Sequence, residues 1–226
     1  MNILSKACLT LIFNALNYAT EVGDELLVKM ISEALLNYSI IFGDAKAKKY
    51  SEEIYRKYSE DVEVEEILAA KKEFKKDYYL LPAIYVSLKL LDKGDKNIFR
   101  IVKLLLEAAN CLSGETKFNT SNIKEGELSK DVLQIYYEVE ERLFGGDIHY
   151  VPFEKMWSII VETRKSPRVE DITTIDFIYE TIRKLKMRNI RGKELSEALM
   201  MIISSIYRSE EVKELAKAII HIESAK

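Results

Sequence analysis

Arg142 and His149 stand in the stretch RLFGGDIH with six residues between them. A guanidinium can hold negative charge and an imidazole can move a proton, so the pair has the parts for phosphoryl chemistry. These are the catalytic candidates of the chain. The sequence holds two histidines, His149 and His221, more than seventy positions apart. A His/Cys metal site needs more ligands at closer spacing, so no metal is expected. His221 reads as a solvated histidine at a helix end, where its charge suits the negative pole of the dipole. The phosphate cradles Gly-x-x-x-x-Gly-Lys-Ser/Thr and Gly-x-Gly-x-x-Gly are absent, and so is the Gly-x-Ser-x-Gly elbow. No cofactor is therefore expected. Cys8 and Cys111 fall on apolar helical faces outside any Cys-x-x-Cys, and they read as free buried thiols.

The Arg-x6-His spacing at Arg142 and His149 resembles the signature of HEPN-type helical ribonucleases. That resemblance implies an Arg and a His converging at a helix end to stabilise phosphate charge and carry a proton during attack by a 2′-hydroxyl. The alternative reading is structural. Arg142 then pairs with Glu138 one turn earlier, and His149 is a loop residue before Val151-Pro152.

Two basic stretches come next. Lys46, Lys48, Lys49, Arg56 and Lys57 lie among Tyr50, Tyr55 and Tyr58, diluted by Glu52, Glu53 and Glu60. Arg183, Lys184, Lys186, Arg188, Arg191 and Lys193 follow one another with no acid between them. Either could hold phosphates, and tyrosines could stack on bases. The second stretch is the sharper candidate for touching nucleic acid or an acidic partner. Its structural alternative is a helix C-terminus that favours positive charge. The chain as a whole carries net charge −3, with 16 basic and 17 acidic groups in residues 1–113 and 18 and 20 in residues 114–226. No global field recruits nucleic acid, so binding would have to be local.

The elements that must position these residues are helices. Apolar residues recur at helical spacing almost everywhere, and no strand pattern appears. Four of the eight glycines are followed by Asp, at 23–24, 43–44, 94–95 and 146–147. Glycine takes the left-handed conformation that ends a helix. Asp caps the next one and favours its positive end. Each pair thus reads as the corner of a helical hairpin, three of them at near-regular intervals. The expected helices run near 3–22, 24–42, 44–59, 62–76, 78–91, 95–113, 128–144, 151–165, 170–188, 193–207 and 209–224, with Ser166-Pro167 as N-cap and N1 of the ninth. The first should bury a stripe of Leu4, Cys8, Leu11, Ala15, Tyr18 and Val22. The fold class is all-α, an irregular helical-hairpin stack or bundle. Residues 114–127, GETKFNTSNIKEGE, have loop composition and divide an N-terminal half, 1–113, from a C-terminal half, 128–226, which together could form one compact domain.

The 226 residues are 48% hydrophobic and 31% charged, ordinary for a folded chain. The bias to Lys, Glu, Ile and Leu with the single glutamine Gln134 is thermophile-like. No apolar run approaches the ~20 residues of a membrane span, so no membrane is expected and the reading is cytoplasmic. The expected function is a non-enzymatic helical interaction or scaffold protein, or a subunit of a larger complex, with a protein partner. The alternative is a nucleic-acid-associated helical protein, either a ribonucleoprotein subunit or a HEPN-like ribonuclease. A small-molecule sensor with an interhelical pocket has no specific residues to support it.

Overall fold

The computed structural model describes residues 3–58, 76–113, 117–146 and 148–224. The protein is all-helical. Among the described residues there are ten α-helices and no strand. They are α1 (Ile3–Val22), α2 (Glu25–Phe42), α3 (Ala45–Tyr58), α4 (Leu81–Lys89), α5 (Lys96–Leu112), α6 (Lys130–Phe144), α7 (Phe153–Thr163), α8 (Glu170–Met187), α9 (Gly192–Ile206) and α10 (Glu210–Ser224). Short 3-10 turns at Lys76–Leu80 and Leu90–Lys93 bracket α4. Pro82 lies in the first turn of α4, where its missing N–H costs nothing. The helix expected at 62–76 falls outside the described residues.

By its contacts the chain divides into two compact units, Met1–Leu143 and Phe144–Lys226. In the first, α1 packs on α5 and α2, α2 on α3 and α4, and α4 on α5. In the second, α8, α9 and α10 pack on one another, and α7 packs on α8 and α10. The irregular segment 117–129 belongs to the first unit.

Three Gly-Asp corners have the expected geometry. Gly23, Gly43 and Gly94 all have φ near +70°. Asp24 accepts from the Leu27 N–H at 3.1 Å, Asp44 from Lys46 and Ala47 at 3.1 and 3.0 Å, and Asp95 from Asn97 at 2.7 Å. The fourth pair behaves differently. Gly145 and Gly146 have positive φ and end α6, but α7 opens only at Phe153, after Pro152; Asp147 lies outside the described residues.

Ser166-Pro167 does not cap α8. Val169 is its N-cap and supplies no side-chain bond. Asp171, in the first turn, instead reaches back to accept from the Arg168 N–H at 2.8 Å and from Arg164 Nε at 2.9 Å. A charge-assisted pair inside the helix start satisfies the free N–H that the serine was expected to take.

The core of the first unit is aliphatic. α1 buries Cys8, Leu9, Ile12, Ala15, Leu16 and Ala19, and α5 buries Ile98, Ile101, Val102, Leu105 and Leu106. The buried stripe of α1 is rotated from the expected one, and Leu4 is exposed. Cys8 and Ala15 are common to both stripes, and Leu9, Ile12, Leu16 and Ala19 replace the others. Cys8 forms a disulfide with Cys111. The bond joins α1 to the last turn of α5 with Cα atoms 5.8 Å apart, within bridging span. The reading of two free thiols is therefore corrected. Neither residue has a sequence signal for the other, because 103 positions separate them. No helix of the described residues is long and apolar enough to cross a membrane.

Candidate functional site

The two catalytic candidates are each engaged inside their own unit. Arg142, in the last turn of α6, forms an ion pair through Nη2 with Asp77 Oδ2 in the first 3-10 turn. The Asp77 side chain is 4% exposed and that of Arg142 is 26% exposed. The guanidinium also lies 5.1 Å from the ring centroid of Phe118. Arg142 therefore pins segment 117–129 and the 3-10 turn to α6. The expected partner Glu138 instead accepts from Gln134 Nε2 at 3.1 Å. Distance along the chain hid Asp77, 65 positions away.

Polar groups within the first unit continue from this pair. The Tyr85 and Tyr136 hydroxyls both donate to Glu140 Oε1, at 3.3 and 3.1 Å, and their rings stack at 5.5 Å. Burial pushes the Tyr136 hydroxyl up, and the Glu140 carboxylate pushes it further. Burial likewise raises Tyr38, helped by Asp77. Both phenols stay protonated, and Tyr136 serves as a donor.

His149 opens the second unit's constellation. Its side chain is 3% exposed, and Nδ1 is hydrogen-bonded to Asp176 Oδ2 on α8. The other oxygen of Asp176 accepts the Tyr150 N–H at 3.1 Å. One carboxylate thus holds two consecutive residues of the segment between α6 and α7. His149 is a loop residue before Val151-Pro152, as the structural reading expected, and its ring is buried. An Asp on Nδ1 orients an imidazole ring, as in general-base pairs, and does the same in purely structural ones. Sequence reasoning missed Asp176, which reads as an ordinary helix residue 27 positions on.

Tyr150 stays 43% exposed, and the Arg183 guanidinium lies over its ring at 5.0 Å. Arg183 begins the second basic stretch. Lys184 pairs with Glu180, Lys186 approaches Glu223 at 3.9 Å, and Lys193 approaches Glu197 at 3.5 Å. Arg183, Arg188 and Arg191 have no carboxylate partner among the described residues, and all three are exposed. The turn that carries them is well defined. Asn189 takes the left-handed conformation, φ 63°. Its N–H reaches the Lys186 carbonyl at 3.0 Å, and the Ile190 N–H reaches Leu185 at 3.2 Å. This is a Schellman ending with Asn in the glycine position. α9 follows directly, with Arg191 as N-cap and no side-chain cap.

The first basic stretch lies on α3. There Lys46, Lys48, Lys49 and Lys57 are exposed, and Arg56 pairs with Glu52 at 2.6 Å. Tyr55 is buried, and Tyr50 donates to Asn17 at 3.2 Å while packing on Phe13 at 4.8 Å. Among the described residues no group of three or more His, Cys, Asp or Glu side chains is gathered as a metal site.

Comparison of the chain with protein-family models, with curated proteins and with solved structures finds no match.

Proposed function

We propose that the protein works by binding, as a helical scaffold or complex subunit whose C-terminal unit receives a protein partner. The supporting observation is α9. Its latter half, LMMIISSI, is apolar on nearly every side, yet of these residues only Leu199 and Ile203 are buried. Met201 is 73% exposed and Ile206 54%. A helix apolar all round belongs in an interior, and one covered along a single stripe suits an interface core, where methionine is enriched. The test is affinity capture with the full chain, beside M201E/I206E with an unchanged circular-dichroism spectrum and Tm. A partner retained by the wild type and lost by the variant supports the reading. Equal recovery from both overturns it.

A second reading, nucleic-acid association, is supported by the three exposed arginines that lack carboxylate partners among the described residues, the first of which lies over the Tyr150 ring. Its ribonuclease form would use Arg142 and His149. Cleavage of single-stranded RNA that is lost on His149→Ala, with binding retained, supports that form, and uncut RNA removes it. The thermophile-like composition agrees with a cytoplasmic setting that tolerates a disulfide, since intracellular proteins of hyperthermophiles are an exception to the reducing rule.

A further inference from the structure

We infer that Tyr150, Arg183, Arg188 and Arg191 form a binding platform for single-stranded nucleic acid, with the tyrosine ring receiving a base and the arginines receiving its neighbouring phosphates. This rests on the second reading above and adds the base contact, which the run of basic residues alone does not contain.

Four observations carry it. First, the local field comes from guanidinium groups. The three lysines of the stretch each face a glutamate, and the arginines do not. Arginine grips phosphate oxygens with two parallel N–H groups and stacks on flat rings, which a lysine cannot do. Second, Arg183 and Arg188 lie on the exposed side of the end of α8 together with Lys184 and Met187, and Arg191 continues past the Asn189 turn. The turn's two backbone hydrogen bonds hold that continuation in place. Third, Tyr150 is an exposed aromatic fixed before any ligand arrives. Its N–H is held by Asp176, and Arg183 lies over its ring. A side chain already ordered loses little entropy on binding. Fourth, the ring decides between ligand classes. An acidic peptide would use the guanidiniums and leave the tyrosine idle, whereas every base has a face to stack on it. A duplex hides those faces, so the strand must be single.

The experiment is fluorescence anisotropy of the full chain with three probes: a labelled oligo-uridine of about ten nucleotides, an abasic strand of the same length, and an acidic peptide of the same charge. Each is titrated at about 50 and about 200 mM salt. Oligo-uridine should bind more tightly than the abasic strand, and its affinity should fall with salt. Removing two phosphate contacts in R188A/R191A should flatten the salt slope by about 1.4. Y150L should weaken oligo-uridine about tenfold and leave the abasic strand unchanged, while Y150F keeps the wild-type affinity. The backbone N–H that Asp176 holds survives both Tyr150 substitutions, and circular dichroism checks the fold. Oligo-uridine and abasic strands bound equally, or Y150L without effect, would overturn the platform and leave the nucleic-acid reading standing. No strand bound at either salt, or the peptide bound as tightly as oligo-uridine, would overturn both and leave the protein-partner reading untouched.

Discussion

On α3, Tyr50 and Tyr55 turn away from their lysines to pack on Phe13 and into the core; near the end of α8, Arg183 meets Tyr150, which arrives from another segment and stays on the surface. In sequence both stretches read as candidates for holding phosphates, the first with tyrosines among its cations and the second with none. Helical phase separates them. On α3 the tyrosines occupy the covered face and the cations the wet one, which is the ordinary amphipathic solution. Around α8 the ring comes from outside the helix, so no phase argument could place it. Between the units the contrast is covalent, since the disulfide lies within the N-terminal one. Both units bury carboxylates with their partners, Asp77 with Arg142 and Glu140 with the Tyr85 and Tyr136 hydroxyls in the N-terminal one, Asp171 with Arg164 and Asp176 with His149 in the C-terminal one. The C-terminal one leaves arginines, Met201 and Ile206 facing water.

The largest expected effect would break this contrast if it spread. Cys8→Ser, with Cys111→Ser to leave no odd thiol, should cost about 4–5 kcal/mol by the loop-closure model. Hydrogen exchange should show α1 and α5 losing protection while α8 and α10 keep theirs; equal loss in both would mean that the units do not differ as described. Next, Asp77→Asn should destabilise the N-terminal unit by about 2–3 kcal/mol, because Arg142 keeps its charge against Phe118 without its partner. The value sits at the low end because Arg142 is partly solvated. A urea midpoint unmoved by this change would make the pair ornamental. Third, Asp44→Ala should cost about 1 kcal/mol as a lost N-cap, whereas Ser166→Ala should fall within about 0.5 kcal/mol, since Asp171 has taken the role expected of that serine. Thermal unfolding of the two variants side by side checks the difference, and a larger loss for Ser166→Ala would reverse the assignment.

The smallest effect is a slope. Burial pushes the Asp171 carboxyl above its ordinary 3.8, against the pull of the Arg168 N–H and of Arg164. The folded chain therefore holds that proton more tightly than the unfolded chain. Between the folded value and 3.8, acidification adds stability through this group, and above the folded value the contribution is absent. Wild type should gain on Asp171→Asn as pH falls through that window. A constant difference between them, measured by denaturant unfolding, would show the carboxyl to be unshifted.

The helices were legible because their signals are local: apolar residues at a 3.6 period, and Gly-Asp pairs whose two halves act within a few residues. The fold class followed from them. What escaped was set at a distance. Asp77 and Arg142, His149 and Asp176, and Cys8 and Cys111 each meet across tens of positions, and neither member of a pair advertises the other. Asn189 shows a subtler miss. Glycine is the usual sign of a left-handed helix ending, and here an Asn that tolerates the same conformation ends α8 in the middle of the basic run. The candidate site was half legible for that reason. Its arginines formed a visible run, while Tyr150 joined them only through the fold.

The disulfide has a consequence for how the protein is handled. Residues 8 through 111 form a covalent ring, which takes in α2, α3 and α4. A protease that nicks the backbone once anywhere inside that ring yields two fragments still held together by sulfur. On a denaturing gel without reductant such a molecule runs as one band, and with reductant as two. A preparation judged intact by the first gel alone could consist entirely of clipped chains.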